Sequence, residues 1–360
     1  MEKEILSSEN IKVGITLGDI NGIGPEIIIK ALKDNRILSD ITPVIYGSSK
    51  IISFYKKLYQ IHELSYQNCR TGAEIQNNKI NIVNCWNEEV DVQPGVSNVT
   101  GGKYALQSLE AATADLADGK IDVLVTAPFS KDAMKSAGFD FPGHTEYLAK
   151  YSNVDEALMI LASPFLRVAL VTTHIPINEV SKALTKEAIL SKIKVFENSL
   201  KRDFNLVRPK IAVFGLNPHA GENGKIGTEE KEQIIPAINA AKSEGILAYG
   251  PFAADGFFGS NAKNQFDGVL AMYHDQGLTA FKALSFEDGV NFSAGLPIVR
   301  TSPDHGTAFD IAGKDLASEA SFRSAIYMAI DIYRNRKFVK QITENPLQIK
   351  TEIVRERREF

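Results

Sequence analysis

The sequence predicts an α/β protein built on a mainly parallel sheet, and three observations predict it. Short β-branched runs recur along the chain. Each is followed by a turn of Gly, Pro or polar residues, and each turn opens a segment with helical periodicity. Such β–turn–α alternation is the pattern of a sheet whose strands are joined by helices packed on its faces.

Taken in order, "KVGITLG" leads into "GIGPEIIIKAL", where Pro25 suits a first helical turn and Glu26 suits the positive end of the helix dipole. "TPVIYG" leads into "SSKIISFYKKL", and "IDVLVTAP" into "SKDAMKSAG". "FLRVALVTTH" precedes the helical "TKEAILSKIKVFENSLKRDF", and "PKIAVFGLNPHA" precedes "GTEEKEQIIPAINAAKSEG". "GVLAMYHDQG" reads as a strand that ends in His274 and Asp275. "SEASFRSAIYMAIDIYRNRKFVKQ" has helical periodicity and is expected to close the fold, and "KTEIVRERREF" reads as a charged, solvated tail.

With 360 residues, the chain exceeds the usual range of one domain, so two are expected. Charged residues make up 23% and the net charge is -4, which leaves no basic footprint for nucleic acid. No apolar run approaches the roughly 20 residues that span a bilayer, and "MEKEILSSEN" lacks the apolar stretch of a signal peptide. Two cysteines, Cys69 and Cys85, make neither a disulfide framework nor a thiolate metal site. A cytoplasmic enzyme or binding protein without nucleic-acid or membrane partners is the expected class.

Ligands of open α/β sheets bind at the carboxyl ends of the strands. Asp19, Thr126, His174, Asn217, His219, His274 and Asp275 all fall at predicted strand ends. A single histidine there is usually a hydrogen-bonded imidazole. Three of them, His174, His219 and His274, make a candidate site for a borderline cation such as zinc, with a position left open for substrate. The loop "GDINGIGPEII" lacks the spacing of a dinucleotide fingerprint; an anion-binding loop and a plain strand-to-helix turn are both open. Lys282 and Arg300 are cations that suit a phosphate or carboxylate, with Asn291 between them.

The segments "GDINGIGPE", "TAPFSK", "FPGHTEYLA", "VTTHIP", "GLNPHAGENGKIGTEE", "GPFAADGFF", "YHDQGLTAFK" and "FSAGLPIVRTSPDHGTAFDIAG" closely resemble the 4-hydroxythreonine-4-phosphate dehydrogenase family of pyridoxal phosphate biosynthesis. The match runs in order from about Val13 to about residue 335; Ile20, Asn21, Phe129 and Ser130 depart from the family's usual residues. The resemblance implies an isocitrate/isopropylmalate dehydrogenase-like fold with two α/β domains and a cleft between them. Residues 10–135 with 297–345 would form one domain, 136–296 the other, and 346–360 a tail. It also implies a homodimer with a shared active site, in which His174 and His219 of one subunit and His274 of its partner bind a divalent metal, zinc first and magnesium or cobalt as alternatives. His144, Thr145, Lys282, Asn291 and Arg300 would bind substrate, with His144 as a protonatable third cation.

Lys282 and Asp255 are the candidate acid–base groups by the same resemblance. "HGTAFDIAG" is similar to the adenosine loop of isopropylmalate dehydrogenases, so His305, Gly306, Thr307, Phe309, Asp310 and Ile311 would hold NAD. Asp310 suits ribose hydroxyls and disfavours a 2′-phosphate. The implied reaction is NAD-dependent oxidation and decarboxylation of 4-phosphooxy-L-threonine to 3-amino-2-oxopropyl phosphate. A relative acting on another phosphorylated hydroxy acid such as 4-phospho-threonate is the nearest rival, and a phosphate acetyltransferase-like acyl transfer is further off. A binding module with a structural zinc would need four protein ligands, and only three are in view.

Overall fold

A computed structural model of the chain describes residues 10–155 and 157–345; the charged tail expected at 346–360 lies outside the described residues. Twelve strands are described: β1 Ile11–Thr16, β2 Ile41–Gly47, β3 Gln67–Cys69, β4 Asn81–Asn84, β5 Val123–Thr126, β6 Leu158–Ala162, β7 Arg167–Leu170, β8 Lys210–Phe214, β9 Leu247–Phe252, β10 Gly268–Ala271, β11 Val290–Ala294 and β12 Arg300–Pro303. They form one sheet in the order β3-β4-β2-β1-β5-β12-β11-β6-β7-β10-β8-β9. Strands β1–β5 and β12 make one half and β6–β11 the other, so the chain crosses the sheet once after β5 and returns before β12.

The two flanks are parallel, as the strand–helix alternation predicts, whereas β12–β11, β11–β6 and β6–β7 pair antiparallel at the centre. Strands β1, β2, β5 and β10 are buried almost throughout, which is why they read as unbroken apolar runs. Strands β9 and β11 lack that signature in the sequence. β9 is largely half-buried or exposed at the sheet edge, and β11 carries the polar Asn291 and Ser293. One strand end is corrected: β10 stops at Ala271, and His274 is the first residue of the helix His274–Leu284.

Capping sets several helix starts. Asn98 accepts from the Gly101 amide, and Thr185 from the Ala188 amide. The helix Gly24–Leu32 is buried on nearly every side and leaves only Lys30 partly exposed. Its Glu26, fully buried, accepts from Lys30 Nζ (2.8 Å), the Tyr59 hydroxyl (2.9 Å) and the Ala317 amide (2.9 Å). One carboxylate thereby pins the first β–α unit to the end of the segment 305–317. Of the two thiols, Cys69 is buried and Cys85 half-buried, and both are free. Among the described residues, no helix is long and apolar enough to cross a membrane.

The glycine-rich loop after β1 is a brace. Asp19 N–H donates to the Pro128 carbonyl (2.9 Å), Ile23 N–H to the Thr307 carbonyl (3.0 Å), and the Tyr55 hydroxyl to the Ile20 carbonyl (2.6 Å). Gly18 has φ 68°, and a side chain there would strike the Pro128 carbonyl. Asn21 ties the loop to residues 93–98 through the Gln93 and Gly95 amides and Asn98. Of the two readings open for this loop, the structural one accounts for every contact described.

Asp19 itself is fully buried against Gly101. One carboxylate oxygen accepts from the Asn21 amide and the other has no partner. Burial, only partly offset by that bond, pushes its pKa from 3.8 up to about 6. The folded state therefore holds this proton more tightly than the unfolded chain. The resulting penalty is absent below about pH 4, grows through about pH 6 and is complete above it, reaching at most about 3 kcal/mol. Urea unfolding of Asp19→Asn should match wild type at acid pH and show a higher midpoint at pH 7. Parallel curves across pH 4 to 7 would contradict the assignment.

Candidate active site

A cavity of about 330 Å³ opens where β5, β12, β11, β6 and β7 end or begin, and the helices starting at His144 and His274 wall it in. It gathers His144, Thr145, His174, His274, Lys282, Asn291, Arg300, His305 and Gly306 from the expected site residues, and adds Lys131, Glu146 and Asp304. The sheet order explains the convergence. The two ends of the chain's excursion into β6–β11 meet at its centre, so residues more than a hundred positions apart face one space.

Arg300 opens β12 and is buried. Its guanidinium donates to Thr126 Oγ1 (2.6 and 3.1 Å), Ser293 Oγ (3.2 Å) and His144 Nδ1 (3.0 Å). All these partners are neutral. Burial lowers the guanidinium pKa to about 10, still well above neutrality, so a full positive charge sits in the wall without a contacting carboxylate. Burial, and then the Arg300 charge, hold His144 well below the usual imidazole range. Its Nδ1 accepts from Arg300, so the neutral ring keeps its proton on Nε2. The expectation that His144 supplies a third cation is thus corrected: it contributes a neutral N–H, and the cations lining the cavity include Arg300, Lys282, Lys131 and Lys192. Thr145 shares a 2.9 Å hydrogen bond with Ser293 and completes this wall.

The polar atoms facing the cavity are incompletely paired. Asn291 Oδ1 and His305 Nε2 are buried and have no partner. Lys282, half-exposed on the helix His274–Leu284, donates to the Asp304 carbonyl (3.2 Å) and lies 3.6 Å from its carboxylate. Asp255 does not join them. It is exposed on the short helix Ala254–Phe258 and borders no part of this cavity.

His174 and His274 follow neighbouring strands, β7 and β10, and their ring centroids stand 6.1 Å apart in one chain. Carboxylates flank both: Glu146 is 4.0 Å from His174 Nδ1 and Asp275 is 2.7 Å from His274 Nδ1. Burial is the main cause of a lowered His174 pKa, which keeps that ring neutral and able to ligate. Gln276 locks the turn by accepting from the Met272 amide and donating to the Gly215 carbonyl, both at 2.7 Å. Two imidazoles with adjacent carboxylates fit a borderline cation in donor chemistry. His219 is exposed and does not border the cavity, and among the described residues of one chain no three His, Cys, Asp or Glu side chains are placed to hold a metal.

The His219 loop has an unusual backbone. His219, Ala220, Gly221, Glu222 and Asn223 all have positive φ, between 42° and 77°. Each non-glycine residue there costs on the order of 1 kcal/mol. Buried Glu230 holds the turn from below. It accepts from the Leu216 amide (2.8 Å), the Asn217 amide (2.8 Å) and the Asn217 side chain (3.0 Å), and it packs against Gly221.

In the expected NAD segment, His305 and Gly306 border the cavity, whereas Thr307, Phe309, Asp310 and Ile311 lie beyond it. Thr307 and Phe309 face the brace of residues 18–25 and 93–98 through their carbonyls. Asp310 is exposed, and its carbonyl accepts from Lys314 Nζ (2.7 Å). The unpaired His305 Nε2 and the open Asp310 carboxylate fit a polar, hydroxyl-bearing ligand passing along this loop.

A family model described as pyridoxal phosphate biosynthetic protein PdxA matches residues 39–329. A Bacteroides thetaiotaomicron protein named 4-hydroxythreonine-4-phosphate dehydrogenase is 50% identical over 344 residues, covering 95% of this chain and 94% of its own length. An Oceanobacillus iheyensis protein, provisionally named D-threonate 4-phosphate dehydrogenase, is 40% identical over 324 residues, 89% of this chain and 97% of its own. The crystal structure of 4-hydroxythreonine-4-phosphate dehydrogenase from Klebsiella pneumoniae superposes with a TM-score of 0.77 at 35% identity, over 90% of this chain and all of that one.

An Arg300→Met variant separates anion binding from folding. Removing the charge relieves its desolvation but leaves the Thr126, Ser293 and His144 acceptors without their donor, so stability should fall by about 1–3 kcal/mol, short of unfolding. Losing its charge-assisted bonds should weaken binding of a phosphorylated acid by about 100-fold or more. Calorimetric titration together with a thermal melt checks both, and unchanged affinity would remove Arg300 from the binding wall.

Proposed function

Because the chain belongs to the family of the pyridoxal phosphate biosynthetic protein PdxA, we propose that it acts as a cytoplasmic 4-hydroxythreonine-4-phosphate dehydrogenase. The reaction is NAD-dependent oxidation and decarboxylation of 4-phosphooxy-L-threonine to 3-amino-2-oxopropyl phosphate, carbon dioxide and NADH. One observation carries the substrate class: a buried guanidinium with only neutral partners, in a cavity that also presents Lys282. Such a wall is complete only with an anion against it.

Each substrate group then has a partner of the right kind. Arg300 and Lys282 neutralise the phosphate and carboxylate. His144 Nε2–H and Asn291 add neutral hydrogen bonds that fix orientation without further charge. Glu146 and Asp304 bring carboxylates to the same wall, which suits the 2-amino group of 4-phosphooxy-L-threonine better than the 2-hydroxyl of D-threonate 4-phosphate. His305 and Asp310 would face NAD, the Asp310 carboxylate accepting ribose hydroxyls.

His174 and His274 would hold a divalent cation, zinc ahead of magnesium or cobalt. A bound cation supplies Lewis acidity toward the alcohol, and bound NAD supplies the hydride acceptor. The closeness of His174 and His274 within one chain supports their acting together, which leaves His219 as the imidazole contributed by the second copy of a homodimer. This reverses the allocation expected from the family resemblance, where His274 crosses over.

The substrate assignment is tested by NADH formation, followed by absorbance, from 4-phosphooxy-L-threonine and from D-threonate 4-phosphate. The amino acid should be the better substrate, with activity lost on chelation and restored by zinc. Faster turnover of the threonate would reassign it. The ligand allocation is tested by mixing inactive chains. His219→Ala with His174→Ala should regain about a quarter of wild-type activity after random re-pairing. His174→Ala with His274→Ala should regain none, and the reverse result would return His274 to the partner's side.

A further inference from the structure

Asp304 stands in the cavity where a carboxylate had been expected from Asp255. It is the residue after β12, and the frame around it is rigid. Its amide donates to Ser321 Oγ (3.2 Å), and buried Ser321 donates in turn to the Gly289 carbonyl (2.7 Å). Gly289 packs against the Asp304 carboxylate so closely that a Cβ there would sit 3.3 Å from Oδ2. The Asp304 side chain is 13% exposed, whereas that of Lys282 is 48% exposed.

Lys282 is the mobile member of the pair. Its flexible stem leaves the helix His274–Leu284, and both polar contacts described for its ammonium, 3.2 Å to a carbonyl and 3.6 Å to a carboxylate oxygen, are to Asp304. A long side chain with one fixed anchor is confined to the arc that the anchor allows. Here the anchor lies on the cavity wall, two strand positions beyond Ser302 and close to Asn291 and Arg300.

We infer that Asp304 is a positioning residue that holds the Lys282 ammonium over the cavity, where substrate meets it. The inference rests on the proposed dehydrogenase reading for its kinetic consequence and on the contacts alone for its structural one. An ordinary exposed ion pair would have two mobile partners and little effect. This pair has one partner locked by Ser321 and Gly289. Burial raises the Asp304 pKa, and Lys282 and then His274 oppose that rise.

Asp304→Asn keeps the shape and the main-chain contact and removes the charge. In the first arm, independent of turnover, lysines are acetylated with acetic anhydride and Lys282 is followed by mass spectrometry. Its labelling should be about threefold faster or more in Asp304→Asn, with the other lysines unchanged. In the second arm, Asp304→Asn should lower kcat/KM by about 10- to 100-fold in the wild-type background and have no further effect on Lys282→Ala. Ethylammonium should partly rescue Lys282→Ala while Asp304 is present and fail in the double variant, a dependence that a merely structural aspartate would not produce. Equal labelling rates overturn the inference even in a fully active enzyme. Absence of NADH from either phosphorylated acid overturns the dehydrogenase reading and leaves the labelling arm to decide on Asp304. Should Asp304→Asn not fold, Asp304→Ser serves in both arms.

Discussion

A positive charge locked into the centre of the sheet, hydrogen-bonded only to neutral groups, constrains everything around it. Arg300 sits on β12 between the two halves of the molecule, and its hydrogen bonds reach β5 through Thr126, β11 through Ser293 and the helix beginning at His144. A buried charge is tolerated only where its donors are satisfied, and here neutral oxygens and a neutral imidazole satisfy them. The consequence spreads to His144, which must stay unprotonated beside it, and to the cavity, which faces the charge with unpaired acceptors and a second cation.

Much of this was legible in the sequence, for physical reasons that also explain what was not. β1, β2, β5, β8 and β10 announced themselves because parallel strands buried on both faces must be apolar throughout. β6, β9 and β11 did not. Two of them are central antiparallel strands, and "VNFSAG" mixes the polar Asn291 and Ser293 into its run. The strand-end rule gathered Thr126, His174 and the neighbourhood of His274 correctly, yet it gave no means of telling which ends share a space. Sheet order seats β8 beside β10, yet His219 lies on the exposed turn beyond β8 and does not border the cavity that His174 and His274 line.

Asp304 and Asp255 show the same limit from opposite sides. Asp255 lay in a motif that drew attention, and the fold leaves it exposed on a short helix. Asp304 immediately precedes His305 and follows β12, so the strand-end rule could have flagged it; the strand itself was hidden behind "GLPIVR". The glycine-rich loop after β1 is a third case. Its composition suits either a ligand cradle or a tight turn, and only the contacts to Pro128 and Thr307 distinguish them.

The turn that carries His219 has a further consequence. Its left-handed backbone is braced by buried Glu230, which holds the Leu216 and Asn217 amides ahead of the turn and packs against Gly221 within it. A surface that approaches it therefore meets a finished shape. Little ordering entropy is left to lose at the moment of contact, and the encounter can proceed as docking of two rigid bodies, with no folding step of its own.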